Sequence, residues 1–322
     1  MYDMNWRVRF SNKNELPNFL TLLESVEIIC DVDNLADTAT IVLPEAVMNR
    51  VWELDQKIIR GTEVLIQLGY NDDLKTEFTG FVQRISNDGS LIIHCEDSLF
   101  LFRVSVPDKE FKNVTLKQIA EYLVKIVDPS FTVNCNYGIT YEKFTIHQAT
   151  AFDVLKKLQD ESKGNIYFDN ANKVLHIHPA YVEVGNKVNY SFHVNIESSN
   201  LEFKRKEDKK VEITIESTNS KGKVKSVTVG TTGGDKTTLK VGAMSETDMK
   251  KVAESALQKQ MYDGYDGSFD GWLLPVVKPT DSAHIQDLDY EYKTGSYYVK
   301  AVTTKLSSSG GIRTVKLGIR LN

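Results

Sequence analysis

The sequence predicts a mainly β protein that is interrupted by a small α+β segment. Its 322 residues include 14 Tyr and 14 Phe but only 7 Pro, and aromatic residues favour strands. Near both termini, apolar and polar residues alternate with a period close to two, which is typical of half-buried strands. Between these regions, apolar residues recur with the spacing of amphipathic helices. The local patterns therefore predict two β regions on either side of an α+β segment.

Residues 1–105 are predicted to form an antiparallel barrel or sandwich. Four stretches within them have strand character: 24–43, GTEVLIQLGY at 61–70, FTGFVQRI at 78–85 and SLIIHC at 90–95. Asn71-Asp72-Asp73 marks a turn. Asn87-Asp88-Gly89 is a strong hairpin signal, because Asp-Gly accommodates the positive φ angles of a tight primed turn.

Residues 106–185 are predicted to form the α+β segment. Two capping boxes each begin an amphipathic helix. These capping boxes are Thr115 with Gln118 and Thr150 with Asp153. The first helix is expected to stop at Asp128-Pro129, and Gly164 is expected to follow the second as its C′ residue. Strands at 166–168 and 174–177 are predicted to form a hairpin.

Residues 186–322 return to strand patterns, with one helix. The predicted strands are 211–215, 224–229, 297–306 and 311–321. Ser245, with Asp248, is expected to cap a helix that runs to about Tyr262. The stretch 263–271, DGYDGSFDG, is rich in Gly and Asp and is predicted to be loop or tight turns.

The first and last regions echo each other. GTEVLIQL, FTGFVQRI and SLIIHC follow one another with turns between, and so do PTDSAHIQD, TGSYYVKAV and IRTVKLGI. Phe81-Val82 in the first series corresponds to Tyr298-Val299 in the second, and both strands lead into Gly-containing hairpins. The order and spacing predict two similar barrels, at 1–105 and 186–322, around the α+β domain at 106–185.

Composition and charge exclude several classes of protein. Lys and Arg total 39 against 44 for Asp and Glu, a net charge of −5, so general binding to nucleic acid or anionic membranes is not expected. The three cysteines, Cys30, Cys95 and Cys135, are too few and odd in number for a disulfide framework, and we expect buried reduced thiols. The N-terminal residues lack a signal-peptide pattern. No apolar run approaches the roughly 18 residues of a membrane span, so no span is expected.

Sites for catalysis or metal binding are not predicted. His176 and His178 share one face of a predicted strand, with His147 as the candidate third metal ligand, but a pattern of surface polar residues is the favoured interpretation. The sequence has no nucleophile elbow and no phosphate-binding glycine loop. The run KRKEDKK at 204–210 is interpreted as a solvated strand edge rather than an anion-binding strip.

Taken in order, several segments resemble one protein family. LADTATIVLP, FTGFVQRIS and IIHCEDSLFL, then LKQIAEYLVK, then GSFDGWLLPVVKPTDSAHIQD and GSYYVKAVTTKLSSSGGIRTVKLGI resemble the baseplate hub proteins of contractile phage tails. This late control protein D family is related to the N-terminal hub part of type VI secretion spike proteins. The matching positions are structural ones: Gly80, Phe81, Val82, Asp97, Trp272, Pro275, Pro279, Asp281, Tyr298 and Val299. Pro279-Thr280-Asp281 departs from the Pro-Gly-Asp expected of the family.

The resemblance implies a structural, non-enzymatic role without cofactors. Each chain would supply two tube-like barrels, and a homotrimer would place six barrels in a ring between a sixfold tail tube and a threefold spike. The implied partners are the tail tube protein and the central spike protein, with the tape-measure protein as a further candidate, and no specificity for nucleic acid. The protein would be made in the bacterial cytoplasm and assembled into a tail. Because the sequence stops at Asn322, neither a fused spike nor a lysozyme insert is expected. The helix at about 246–262 is expected to pack against the outside of a barrel.

Two other functional classes are alternatives to a hub. A glycan-binding or glycan-degrading tail enzyme could use the 3 Trp and the 28 Phe and Tyr residues as sugar platforms, but these residues equally suit β cores, and no carboxylate pair stands out. A toxin or effector carried by such a machine is disfavoured, because no nucleophile or metal motif is present.

Overall fold

Strands dominate the chain, as the sequence predicts. A computed structural model describes residues 3–13, 15–44, 58–88, 90–182, 185–219 and 222–321. The first strands are β1 Met4–Ser11, β2 Asn18–Phe19, β3 Ser25–Asp31, β4 Thr38–Leu43, β5 Glu63–Tyr70, β6 Asp73–Asp88 and β7 Ser90–Glu96. The next are β8 Lys109–Thr115, β9 Thr132–Cys135, β10 Thr140–Ile146, β11 Asn165–Asp169 and β12 Val174–His178. The last are β13 Lys187–Ser191, β14 Ser198–Ser199, β15 Glu202–Lys204, β16 Val211–Thr218, β17 Val224–Gly230, β18 Asp235–Val241, β19 Gly264–Asp266, β20 Ser268–Gly271, β21 Ser282–Gln286, β22 Gly295–Ser307 and β23 Gly310–Leu321.

Two compact units are each assembled from segments that are distant in the sequence. The first unit comprises Met1–Phe100, Asn186–Leu201 and Gly267–Leu317, and the second comprises Leu101–Gly185, Glu202–Asp266 and Gly318–Asn322. The division predicted from the sequence follows chain order instead, with boundaries at 105 and 185. Residues 186–322 contribute to both units. The sequence does not predict this division, because pairing between distant strands leaves no trace in local periodicity. The two-barrel interpretation stays a prediction.

One sheet runs through the first unit, with the strand order β14-β20-β23-β22-β3-β4-β7-β6-β5-β1-β2. Strand β21 branches from β22 and carries β13 on its other side. Along this sheet the chain returns repeatedly by short connections, such as the turn between β5 and β6. Gly89, the last residue of the predicted Asn87-Asp88-Gly89 hairpin, lies outside the described residues.

The sheet contains the same strand order twice. Neighbouring strands run β3-β4-β7-β6-β5-β1 in the first repeat and β14-β20-β23-β22-β21-β13 in the second repeat. The repeats differ at their last pair, because β1 is antiparallel to β5 whereas β13 is parallel to β21. Pairing of β22 with β3 joins the two repeats into one continuous sheet.

The first repeat curves around one apolar core. Strands from both ends of the repeat, β1 and β3, contribute to a single cluster with β4 to β7, which requires the sheet to curl. Its most deeply buried strand side chains are Val8, Phe10, Val26, Ala39, Ile41, Leu43, Val64, Ile66, Leu68, Val82 and Ile93. They occupy alternate positions along their strands, as a period of two demands. Leu306 of β22 and Leu273 from the segment between β20 and β21 also join this core.

Helices occur in the second unit. Within the described residues they are α1 Leu116–Val127, α2 Ala151–Ser162 and α3 Glu246–Gln260. Both predicted capping boxes form: the Thr115 and Thr150 hydroxyls accept the N–H groups of the residues three positions on. The left-handed residue that ends α2 is Lys163 at φ 55° rather than the predicted Gly164. Glycine is needed at 164 for another reason, since a Cβ there would lie 2.6 Å from the His178 carbonyl oxygen.

Three small sheets accompany these helices, with the orders β10-β8, β11-β12-β9 and β17-β16-β18. Helix α3 packs against β16 and β17, strands of the predicted second barrel, and its place on the outside of a barrel stays a prediction. It ends at Gln260, two residues before the predicted end. Residues 263–271, predicted as loop, instead form β19 and β20 on either side of Gly267, whose φ is 107°.

The three cysteines are free thiols: Cys95 is buried, whereas Cys30 and Cys135 are half-buried. No helix in the described part of the chain is long and apolar enough to cross a membrane.

Candidate functional site

The family-like positions Gly80, Phe81 and Val82 lie on β6, where this strand passes close to β7. A Cβ on Gly80 would lie 2.3 Å from the Glu96 carbonyl oxygen, so only glycine permits this approach. Phe81 stacks on Phe100 with ring centroids 5.5 Å apart. Val82 is fully buried in the first-repeat core. The three positions therefore fix the packing of β6, and none of them presents a reactive group.

The Val82 backbone also binds a turn at residues 59–62, which immediately precedes β5. We call this turn the first turn. The Thr62 N–H donates to the Ile59 carbonyl over 3.0 Å, and the Ile59 N–H donates to the Thr62 hydroxyl over 3.0 Å. Gly61, at φ 93°, donates its N–H to the Val82 carbonyl over 2.8 Å. The Val82 N–H in turn donates to the Thr62 carbonyl over 2.8 Å.

The second turn, residues 278–281, repeats this pattern in front of β21. The Asp281 N–H donates to the Lys278 carbonyl over 3.1 Å, and the Lys278 N–H donates to the Asp281 carboxylate over 2.8 Å. Thr280 donates its N–H to the Val299 carbonyl over 3.0 Å, and the Val299 N–H donates to the Asp281 carbonyl over 2.9 Å. Pro279 occupies the second position of this turn, for which its fixed φ is suited.

All four bonds of the first turn thus recur in the second. Val82 and Val299 play the same part, which agrees with the correspondence of Phe81-Val82 and Tyr298-Val299 seen in the sequence. Thr62 and Asp281 are equivalent oxygen acceptors, and Asp281, being buried, also accepts the Asn186 N–H over 2.8 Å. The repeated strand order and the repeated turn show that the first unit contains the same arrangement twice.

Thr280 stands where the first turn has Gly61. Its φ is 78°, a left-handed conformation that costs a non-glycine residue roughly 1–2 kcal/mol. This position therefore explains why the family pattern would have glycine between the proline and the aspartate.

We expect Thr280→Gly to raise the free energy of unfolding of the first unit by about 1 kcal/mol, because glycine removes this strain. Gly233→Thr is the matched control. Gly233 has φ 80° and open space around its Cβ position, so the reverse change should lose a similar amount in the second unit. Hydrogen exchange resolved by peptide measures both units, and a loss of stability in Thr280→Gly would contradict the strain argument.

Asp97 lies with two other ionisable groups at the end of β7. It is 1% exposed, its N–H donates to the Asp37 carbonyl over 3.0 Å, and its carboxylate accepts the Leu99 N–H over 2.9 Å. Burial, and then the neighbouring Asp37, raise the pKa of Asp97 well above its usual range. Burial raises the pKa of Asp37 from 3.8 to about 6, against the opposing effect of the Cys30 thiol that donates to it.

This raised pKa predicts a dependence of stability on pH. Between about pH 4 and pH 6 the folded state binds more protons at Asp37 than the unfolded state does, so stability falls as pH rises through this window. We expect Asp37→Asn to be more stable than the parent at pH 7.5, by on the order of 2 kcal/mol, and to keep only about half of this advantage at pH 5, because part of the parent's Asp37 penalty persists until the pH falls below the unfolded pKa. Urea unfolding at the two pH values measures the difference. An advantage that is equal at both would exclude ionisation of Asp37 as its cause.

Arg313, on β23, is the largest of the fully buried side chains. Its two terminal nitrogens bind the Glu77 carboxylate over 2.8 and 3.0 Å. Its remaining N–H groups donate to the Leu273 carbonyl over 3.1 and 2.8 Å and to the Thr304 hydroxyl over 3.0 Å. All five guanidinium N–H groups therefore have partners. Glu77 is the extra residue of a β-bulge in β6, between the pairs Ile66–Phe78 and Gln67–Thr76, and the bulge turns its side chain toward Arg313.

Trp272 and Pro275 belong to the segment between β20 and β21. The Trp272 side chain is 53% exposed, and its indole N–H donates to Glu197. Pro275 follows a cis peptide bond. Tyr298, beside Val299 on β22, is buried. The predicted positions thus form two groups, one around β6 and one around β21 and β22, within the first unit.

The histidines do not form a metal site with a third ligand. The Nδ1 atom of His176 lies 3.2 Å from Nε2 of His178, but His147 instead pairs with Asp108 over 2.6 Å. No three His, Cys, Asp or Glu residues of the described ranges gather as a metal ion would need. In the basic run, Lys204 pairs with Asp266, and residues 206–208 form a 3₁₀ turn.

Sequence reasoning missed Arg313, Glu77 and the first turn. Arg313 did carry a signal, because it shares the inward face of β23 with Val315 and Leu317. An arginine at an inward position of a strand needs a buried partner. The bulge that supplies Glu77 has no comparable signal in the sequence.

Comparison with solved structures identifies the fold. The chain is similar to a tail protein from Neisseria meningitidis, with 15% identity, a TM-score of 0.68, and coverage of 99% of this chain and 97% of that one. It is also similar to the 43 kDa tail protein of prophage MuSo2 from Shewanella oneidensis, with 13% identity, a TM-score of 0.64 and 98% coverage of both chains.

A third structure comes from a secretion machine. The E. coli c3393 protein, a component of the type VI secretion system with structural similarity to the T4 bacteriophage tail proteins gp27 and gp5, has 10% identity and a TM-score of 0.64. The match covers 98% of this chain and 77% of that one. No family profile and no curated protein sequence matches the chain. The fold is therefore the one found in phage tail proteins and in this type VI secretion component.

Proposed function

We propose that the chain is a structural, non-enzymatic baseplate hub protein of a phage tail or of a phage-tail-like injection machine. Three copies would form a ring that adapts a sixfold tail tube to a threefold spike. The tail tube protein and the spike protein would be its partners, with the tape-measure protein as a further candidate. The protein would be made in the bacterial cytoplasm and assembled into the tail.

The observation that carries this proposal is the duplication inside the first unit. Two repeats with one strand order and one turn pattern give each chain two similar faces. A ring of three such chains has six similar faces, two from each chain, but its true symmetry is threefold. An adaptor between a sixfold and a threefold partner needs both the six similar faces and the threefold symmetry. The two repeats would be the two tube-like barrels. Similarity over nearly the full length of two tail proteins supports the same role.

The test is the assembly state of the full chain. We expect sedimentation over rising protein concentration to approach three times the 36.4 kDa monomer mass, and electron micrographs to show rings with six lobes. Monomers at every concentration together with micrographs free of rings would overturn the proposal. A hydrolase assay on bacterial cell-wall and surface glycans addresses the alternative tail enzyme, and a structural hub should give no turnover.

A further inference from the structure

The two repeats point the same way within the first-unit sheet. Between β22 and β6 lie β3, β4 and β7, and each of the four pairings along this path is antiparallel. An even number of reversals returns the chain to its original direction, so β6 and β22 run parallel to each other. Both strands therefore begin at one end of the sheet and finish at the other.

At the end where β6 and β22 begin, the repeats carry unlike tips. The polar tip, residues 71–73, joins β5 to β6 and consists of Asn71, Asp72 and Asp73. The aromatic tip, residues 288–293, joins β21 to β22 and contains Leu288, Tyr290 and Tyr292. The segments that carry the tips, 63–81 and 282–298, are nearly equal in length. The aromatic residues at 288–293 are therefore not simply inserted into a segment that otherwise matches 63–81.

The polar tip is a tight turn held against β1. Asn71 and Asp72 take φ angles of 51° and 63°, as a primed hairpin turn requires. The Asn71 amide oxygen accepts the Asp3 N–H over 3.0 Å, and the Asn5 amide oxygen accepts the Asp72 N–H over 3.1 Å. Its surface is polar and acidic.

The aromatic tip projects large apolar side chains from a fixed backbone. Leu288, Tyr290 and Tyr292 are 64%, 54% and 54% exposed. The buried carboxylate of Asp287 accepts the N–H groups of residues 289 and 290 over 3.0 and 2.9 Å. The Thr294 hydroxyl accepts the Asp287 N–H and donates to the Asp287 carbonyl. The tip is thus ordered in advance, which lowers the entropy cost of binding.

At the opposite end, the sequences that connect the strands are alike in the two repeats. Strand β6 ends at Asp88 and β7 begins at Ser90, while β22 ends at Ser307 and β23 begins at Gly310. The sequences at these two positions, NDGS and SSSG, consist of small or polar residues. A ring of three chains would show six similar tips at this end, whereas the other end would alternate three polar with three aromatic tips.

We infer that the aromatic tip is the docking site for a threefold-symmetric protein partner, and that the opposite end of the ring meets the sixfold partner. This rests on the proposed function. A sixfold partner would meet two chemically different tips at the aromatic end, and it could not bind both equally. A threefold partner meets three identical aromatic tips, and its surface must offer apolar clefts for Tyr290 and Tyr292. Exposed tyrosines on an ordered backbone are typical of interface hot spots.

The test uses tail particles that carry this chain, from cells in which its gene is deleted and variants are supplied. Tyr290→Ser with Tyr292→Ser should reduce the threefold component of the particles at least tenfold, and leave the tube content and the unfolding temperature of the isolated chain unchanged. Asp73→Ser, at the polar tip, is the control that leaves the turn residues in place, and it should reduce the threefold component less than twofold.

A second measurement does not depend on the loss of binding. Asp289→Cys, beside the tyrosines of the aromatic tip, and Ser308→Cys place thiols at the two ends while both tyrosines are kept, and maleimide labelling is compared with the unmodified chain as background. In complete particles we expect protection at 289, which is lost when the threefold component is removed and kept when the tube is removed, with the reverse at 308.

Each other outcome overturns the inference. Free labelling at 289 in complete particles, protection at 289 by the tube, or protection at 289 in the isolated ring would mean that the aromatic tip meets solvent, the sixfold partner or a second copy of this chain. In those cases the proposed function still stands. If the chain is absent from tail particles altogether, both the inference and the proposed function fail.

Discussion

Arg313→Ala should destabilise the first unit by about 3–5 kcal/mol, which is the usual cost of breaking a buried ion pair from one side. The change leaves the Glu77 carboxylate buried without its bidentate partner. It also removes both guanidinium donors from the Leu273 carbonyl and one from the Thr304 hydroxyl. Hydrogen exchange of first-unit peptides, or urea unfolding, measures the loss.

The chain contains a matched control for this change. Lys305 and Glu27 form an ion pair of 2.7 Å on the neighbouring strands β22 and β3, but their side chains are 59% and 40% exposed. Lys305→Ala should therefore cost less than about 1 kcal/mol. In addition, Arg313→Met with Glu77→Leu should be less damaging than Arg313→Ala, because no charge is left buried. If Arg313→Ala costs no more than Lys305→Ala, the buried pair does not hold the unit together.

Gly80→Ala is the second change with a large expected effect, a loss of about 3 kcal/mol in the first unit. The new methyl carbon would lie 2.3 Å from the Glu96 carbonyl oxygen and 2.8 Å from the Phe78 ring. The carbonyl belongs to β7, which is paired on both sides with β4 and β6, so it cannot move without breaking sheet hydrogen bonds.

Gly138→Ala tests whether the cost comes from the contact or from the glycine-to-alanine change itself. The nearest atom to a Cβ at 138 is the Lys251 ammonium nitrogen at 3.9 Å, at the end of a flexible side chain. We expect a change smaller than about 0.5 kcal/mol in the second unit. Equal effects of the two substitutions on their own units would rule out the clash as the cause.

The sequence predicted those features of the fold that depend on residues close to one another in the chain. Capping boxes at Thr115 and Thr150 act within one helical turn, and they begin α1 and α2 as expected. The correspondence of Phe81-Val82 with Tyr298-Val299 also agrees with the structure, because a repeated turn needs similar residues at similar spacing.

Features that depend on distant partners could not be predicted in this way. The pairing of β22 with β3 and the division of residues 186–322 between two units have no local signature. The same holds for the bulge at Glu77, since the residue that it meets lies 236 positions away. Thr280 lies between these cases: the departure from Pro-Gly-Asp is visible in the sequence, but its positive φ is visible only in the structure.

The separation between Glu77 and Arg313 also has a consequence for synthesis on the ribosome. Glu77 is synthesised 236 residues before Arg313. Until Arg313 has been added, the Glu77 carboxylate lacks the cation that offsets the cost of burying its charge. We therefore expect the first repeat to pack incompletely while the chain is still growing toward residue 313. Nascent or broken chains that stop before this arginine should be more open to proteolysis than chains that extend past it.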